Sequence, residues 1–110
     1  MFDEINSFKA FSNLKENEPA LLAYFSTDVC NVCKVLKPKV EELIQAEFPK
    51  IKLVYVRSDN LPEVAAQNQV FAAPTILIFF DGREYIRKSR NIGISELKQE
   101  IERPYSMMFS

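Results

Sequence analysis

A chain of 110 residues with 47% hydrophobic and 26% charged residues has the composition of an ordinary globular protein, which argues against disorder. Its formal charge of -1, from 14 Lys plus Arg against 15 Asp plus Glu, leaves no basic surplus to displace counterions from a nucleic-acid backbone. The absence of His excludes a Ser-His-Asp triad, a Cys-His pair and His-based metal sites, and two cysteines cannot close a four-ligand zinc site within one chain.

This length suits one domain, read here as residues 1–110. Met1 to Ile5 lacks the basic and apolar regions of a signal peptide, and no apolar run approaches bilayer length, so a cytoplasmic protein is expected. Whether a short strand forms near Phe2 to Ile5 stays open. Phe8, Phe11 and Leu14 recur at helical spacing from Ser7 to Glu16, with Asn6 or Ser7 as N-cap and Pro19 as terminator. Ala20 to Phe25 is nearly continuous in apolar residues and reads as a strand buried on both faces. Ser26-Thr27-Asp28 turns the chain, and Cys30 and Cys33 then open a long helix. The periodicity puts Val32, Val35, Leu36, Val40, Leu43 and Ile44 on its inner face. Pro38 lies inside that helix, where it should kink it, and Pro49 marks its end.

Ile51 to Arg57 reads as the next strand, with Val54 and Val56 as β-branched supports. A short helix to about Asn68 follows, capped by Asp59 or Asn60 with Pro62 in its first turn. Thr75 to Phe80 is a third apolar strand, Asp81-Gly82 a hairpin turn, and Arg83 to Arg90 a fourth, antiparallel strand. Ser95 is the expected cap of a last helix with Leu97 and Ile101 inward and Pro104 as its stop. The tail is apolar for a terminus, and its Met107-Met108-Phe109 is expected to pack back on the domain or to be disordered.

A lone C-x-x-C is a weak signal, but the ordered set around it is specific. Strand, turn, Cys30-Asn31-Val32-Cys33, helix, strand, helix, Ala73-Pro74-Thr75, hairpin and helix together resemble the thioredoxin family, from about Leu21 to Ile101. Lys34 after the second Cys, Pro38, Asp81-Gly82 and Gly93 also fall on family positions. The resemblance implies an α/β thioredoxin fold: a central mixed sheet of four or five strands with helices on both faces. It implies a cis Pro74 beside the Cys pair and pairing of the Ala73 backbone with an extended substrate segment. Thr75, Val29 and Gly93 complete the implied substrate-binding set, and Asn31, Val32 and Lys34 support the Cys pair.

The chemistry follows from the residues themselves. At a helix N-terminus, Cys30 meets unpaired N–H groups and the positive end of the dipole, which favour the nucleophilic thiolate. Cys33, one turn on, is close enough to resolve a mixed disulfide. The expected function is a thiol–disulfide oxidoreductase acting on disulfide-containing proteins, with a thioredoxin reductase or a low-molecular-weight thiol as electron donor. No cofactor, metal, nucleic acid or membrane is needed, and a monomer suffices. Two other readings stand beside it: a binding module or redox sensor on the same scaffold, and a metal or iron–sulfur site shared by two chains.

The departures from the family are specific. Val29 replaces the usual Trp, and Asn31-Val32 replaces the usual Gly-Pro. Tyr24 and Tyr55 occupy the positions of the family's buried Asp and its facing Lys. The missing acid implies slower resolution by Cys33 or a different base. Asp28 is expected to be exposed and to oppose thiolate formation slightly.

Overall fold

Successive side chains of a strand point to opposite faces, so a sheet covered on both sides needs apolar residues at every position. Two neighbouring strands meet that condition except at Ser26 and Thr75, which are buried and polar. In the computed structural model, which describes residues 1–109, the elements are β1 (Asp3–Glu4), α1 (Phe8–Asn17), β2 (Ala20–Ser26), α2 (Asn31–Glu47), β3 (Lys52–Arg57), α3 (Pro62–Gln67), β4 (Thr75–Phe80), β5 (Arg83–Ser89) and α4 (Ile94–Phe109). The five strands form one mixed sheet in the order β1-β3-β2-β4-β5. β1, β3 and β2 are parallel, whereas β4 runs antiparallel to β2 and β5 antiparallel to β4. The fifth strand is the short β1, where Asp3 and Glu4 pair with Val54 and Tyr55.

Two cores lie on the two faces. Ala20, Leu22 and Tyr24 of β2 and Ile76, Ile78 and Phe80 of β4 pack with α2 and α4. Leu21, Ala23 and Phe25, with Leu77 and Phe79, pack under α1 and α3. Phe11 anchors α1, with its ring 6.2 Å from those of Phe25 and Phe79. Ser7 caps that helix, its hydroxyl accepting from the Ala10 N–H at 3.0 Å. Asp81 and Gly82 both have positive φ (56° and 77°) in the two-residue link from β4 to β5. Glycine makes that turn inexpensive.

Four local expectations are corrected. Val32 and Val35 are exposed; the buried stripe of α2 is Cys33, Leu36, Val40, Leu43 and Ile44. Neither Asp59 nor Asn60 caps α3; Leu61 holds that position without a side-chain hydrogen bond, and Asp59 instead accepts from the Asp28 N–H at 3.2 Å. Ser95 is not the cap of α4, which begins at Ile94 with the Leu97 N–H donating to the Gly93 carbonyl at 3.0 Å. Pro104 does not stop α4, which continues to Phe109. The aromatic tail explains this: Tyr105 packs on Phe48 at 5.0 Å and on Phe109 at 4.8 Å, and its hydroxyl accepts from the Lys50 N–H at 3.1 Å. These contacts outweigh the one helical hydrogen bond a proline removes. α2 likewise runs through Pro38.

Candidate active site

Register brings four loops to one end of the sheet. Ser26 at the end of β2 pairs with Arg57 of β3, Phe25 pairs with Thr75 at the start of β4, and Thr75 pairs with Ser89 at the end of β5. The chain leaving β2 carries Cys30, the loop entering β4 carries Pro74, and the loop leaving β5 carries Arg90 to Gly93. Carboxyl ends of strands at such an edge are where open α/β sheets place their sites.

The approach to Cys30 is tied down on both sides. The Cys30 N–H donates to the Thr27 carbonyl at 3.3 Å, and Asp28 forms an ion pair with Arg57. Asp28 is exposed as expected, but this partner offsets its charge near the sulfur. Cys30 is the N-cap of α2, with extended backbone, and its sulfur accepts the Cys33 N–H at 3.1 Å. The two cysteines are joined as a disulfide across a Cα–Cα distance of 5.3 Å. Their exposure differs: Cys30 is partly exposed, whereas Cys33 is 2% exposed.

The Ala73–Pro74 peptide is cis. Arg90 N–H donates to the Pro74 carbonyl at 2.8 Å, which binds this loop to the end of β5. Thr75 faces inward rather than outward. It is fully buried, and its hydroxyl bonds to the Ala72 carbonyl at 2.7 Å and the Ser89 hydroxyl at 3.1 Å. Ala73 lines a groove with Thr27, Pro62, Val70 and Phe71. Gly93 lines a second groove with Val32, Leu36 and Arg90. Val29 (88% exposed), Phe71 (84%) and Val32 (60%) give this end of the molecule an apolar rim that sequence patterning assigned only in part. The sequence signal for Phe71 is a large aromatic in the loop ahead of Ala-Pro-Thr. Asn31 and Lys34 are exposed on the first turn of α2.

Beneath the Cys pair lies an aromatic layer. Tyr24 is fully buried, and its hydroxyl donates to the Cys33 carbonyl at 2.7 Å. Burial pushes its phenol well above the usual range, and the neighbouring Tyr55 adds to the shift, so Tyr24 stays protonated. The Tyr24 and Tyr55 rings stack at 6.0 Å and 20°. Tyr55 shares a 2.5 Å hydrogen bond with Ser26, and the Lys37 ammonium sits 3.9 Å from the centre of its ring. Among the described residues the buried polar side chains are Ser26 and Thr75, and no carboxylate is buried. Nor does any group of three or more His, Cys, Asp or Glu among them stand ready to hold a metal ion.

Comparison with known proteins agrees with this geometry. The family model described as Thioredoxin matches residues 4–103. The thioredoxin-like protein YdfQ of Bacillus subtilis is 30% identical over 103 residues, covering 94% of this chain and 91% of its own length. Thioredoxin 1 of a Nostoc species is 30% identical over 88 residues, covering 80% of this chain and 82% of its own. The crystal structure of oxidised mitochondrial thioredoxin 3 from Saccharomyces cerevisiae superposes with a TM-score of 0.83 at 26% identity, over 92% of this chain and 93% of that one. Fasciola hepatica thioredoxin gives a TM-score of 0.81 at 28% identity, over 94% and 98%. A match over nearly the whole length, shared by relatives and solved structures, settles the family: this chain belongs to the thioredoxins and is a thioredoxin-type thiol–disulfide oxidoreductase.

Proposed function

We propose that Cys30 is the attacking and Cys33 the resolving cysteine of a protein-disulfide reductant. The observation that carries this assignment is the contrast between the two sulfurs. Cys30 is partly exposed at the helix N-cap and accepts an N–H bond there, while Cys33 is buried behind it. An N–H donor and the helix dipole favour the anion at Cys30.

In the reduced protein the Cys30 thiolate attacks one sulfur of a substrate disulfide. The Cys30–substrate S–S bond forms, the substrate's own S–S bond breaks, and its second sulfur leaves as a thiolate that takes a proton from solvent. Cys33 then loses its proton and attacks the Cys30 sulfur. The internal disulfide forms and the first substrate sulfur departs as a thiol. Two electrons have passed from the dithiol to the substrate, and a reductase or low-molecular-weight thiol returns them.

Ala73 and Pro74 form the wall along which an extended substrate segment runs, and Val29, Val32 and Gly93 border it. Thr75 braces this loop from inside. Lys34 adds positive potential near Cys30. The protein works as a monomer in a reducing compartment such as the cytoplasm, on disulfide-containing proteins. Among the described residues no helix is long and apolar enough to cross a membrane.

Equilibration with glutathione or dithiothreitol buffers of graded potential, with free thiols counted by alkylation, tests this reading. The expected result is one two-electron transition near about -270 mV, whereas one near about -120 mV would mark an oxidant and contradict the reductant reading. Absence of an intramolecular disulfide at every potential would leave a binding module, or a metal site shared by two chains, in its place.

A further inference from the structure

We propose that Arg90 selects substrate disulfides carrying a carboxylate beside the attacked cysteine on a peptide chain. The inference rests on the thiol–disulfide reading above. Arg87 is held by Glu84 at 2.8 Å and by the Gln69 and Asn68 carbonyls at 3.0 and 2.7 Å. Lys88 is held by Glu96 and Glu100, each at 2.5 Å. Arg90 differs: among the described residues its guanidinium has neither an ion pair nor a hydrogen bond.

Its placement gives that free charge a use. A left-handed backbone (φ 64°) at Arg90 turns the chain out of β5, and the Arg90 N–H is fixed to the Pro74 carbonyl at 2.8 Å. Arg90 therefore stands on the loop that flanks the proposed substrate wall. It lines a groove whose other residues are Val32, Leu36, Asn91, Ile92 and Gly93, none of them charged. Val32 lies between the two cysteines, so this groove begins at the reactive turn of α2. A planar guanidinium with five donors, on the one charged residue that lines this groove, fits a carboxylate bidentately. A cationic side chain there attracts an acidic substrate segment and repels a basic one. Asp28, near the sulfur of Cys30, is already paired with Arg57 of β3.

Three disulfide-linked peptide dimers, identical except for Asp, Asn or Lys next to the cysteine, test the proposal, with glutathione disulfide as a fourth substrate. The second-order rate of reduction by the reduced protein is measured for each at low and high salt and divided by the rate with dithiothreitol. The ratio of the Asp to the Lys peptide is the readout. The expected value is about three to ten at low salt, falling towards one as salt screens the charges. Arg90→Lys, which keeps the charge and loses the planar fork, should keep only part of the ratio, Arg90→Gln should bring it to about one, and Arg90→Glu should invert it. A ratio of one in the wild type, or the wild-type ratio persisting in Arg90→Gln, would overturn the proposal. A preference confined to glutathione disulfide would overturn the assignment to peptide chains. Reduction of the Asn peptide reports the exchange activity separately, and its absence would overturn both readings.

Discussion

The phenol of Tyr24 donates a 2.7 Å hydrogen bond to the carbonyl oxygen of Cys33, so the central strand grips α2 at the residue that bears the second sulfur. The tyrosine sits where the family resemblance expects a buried acid. It holds the backbone of Cys33 and, being protonated and buried, takes no proton from its thiol.

Replacing Tyr24 by Phe removes this bond with little change in volume. The expected cost to the oxidised protein is about 1 kcal/mol, the usual net value of an internal hydrogen bond. A urea titration of wild type and Tyr24→Phe measures it, and coincident midpoints would contradict the contribution assigned to the bond.

The same phenol makes stability depend on alkaline pH. Its pKa is raised on folding, so its contribution is complete below the unfolded tyrosine value of about 10 and is lost as pH rises above it. The unfolded chain gives up this proton first, and the limiting slope is about 1.4 kcal/mol per pH unit for one group. Denaturation of the oxidised protein between neutral and alkaline pH should show a steeper decline in wild type than in Tyr24→Phe. Parallel curves would remove Tyr24 as the cause.

Much of this fold was legible because its signals are local. The apolar run Ala20 to Phe25, the Asp81-Gly82 turn and Ser7 as a cap depend on neighbours in sequence, and each stands where pattern reading put it. The C-x-x-C pair and Ala-Pro-Thr were equally readable as motifs. What escaped depends on distant partners. Val32 and Val35 fit the helical period, yet the first turn of α2 stands at the sheet's end, where little lies opposite them. Pro104 fits a helix stop, but Tyr105 and Phe109 draw the next turns onto Phe48. The bond from Tyr24 to Cys33, and the freedom of Arg90 beside its paired neighbours, exist only once strands and helices are assembled.

Pro104 offers a direct check on that packing. It leaves the Glu100 carbonyl without its helical donor, although the helix continues. Pro104→Ala restores the donor and should stabilise the protein by about 1 kcal/mol, since Pro is the poorest residue in a helix interior while the more flexible unfolded chain offsets part of the gain. Thermal unfolding at a higher midpoint is the expected result, and a lower midpoint would contradict it.

The apolar rim calls for a kinetic test. Val29 and Phe71 are almost fully exposed, so Val29→Ser and Phe71→Ser should change stability by no more than about 0.5 kcal/mol. Each should raise KM for a protein disulfide, because burial of apolar area on docking is lost. Assays against an intact disulfide protein and against a small disulfide, which has no surface to dock, would separate docking from the exchange chemistry. A KM equal to wild type in both variants would take the rim out of substrate binding.

The assignment of the two sulfurs is tested most directly by trapping. Reduced Cys33→Ser and Cys30→Ser proteins are mixed with a disulfide protein, and adducts are located by mass spectrometry without reductant. The expected result is a covalent complex through Cys30 in Cys33→Ser, released by dithiothreitol, with neither adduct nor disulfide reduction in Cys30→Ser. An adduct through Cys33, or sustained disulfide reduction by Cys30→Ser, would contradict the assignment.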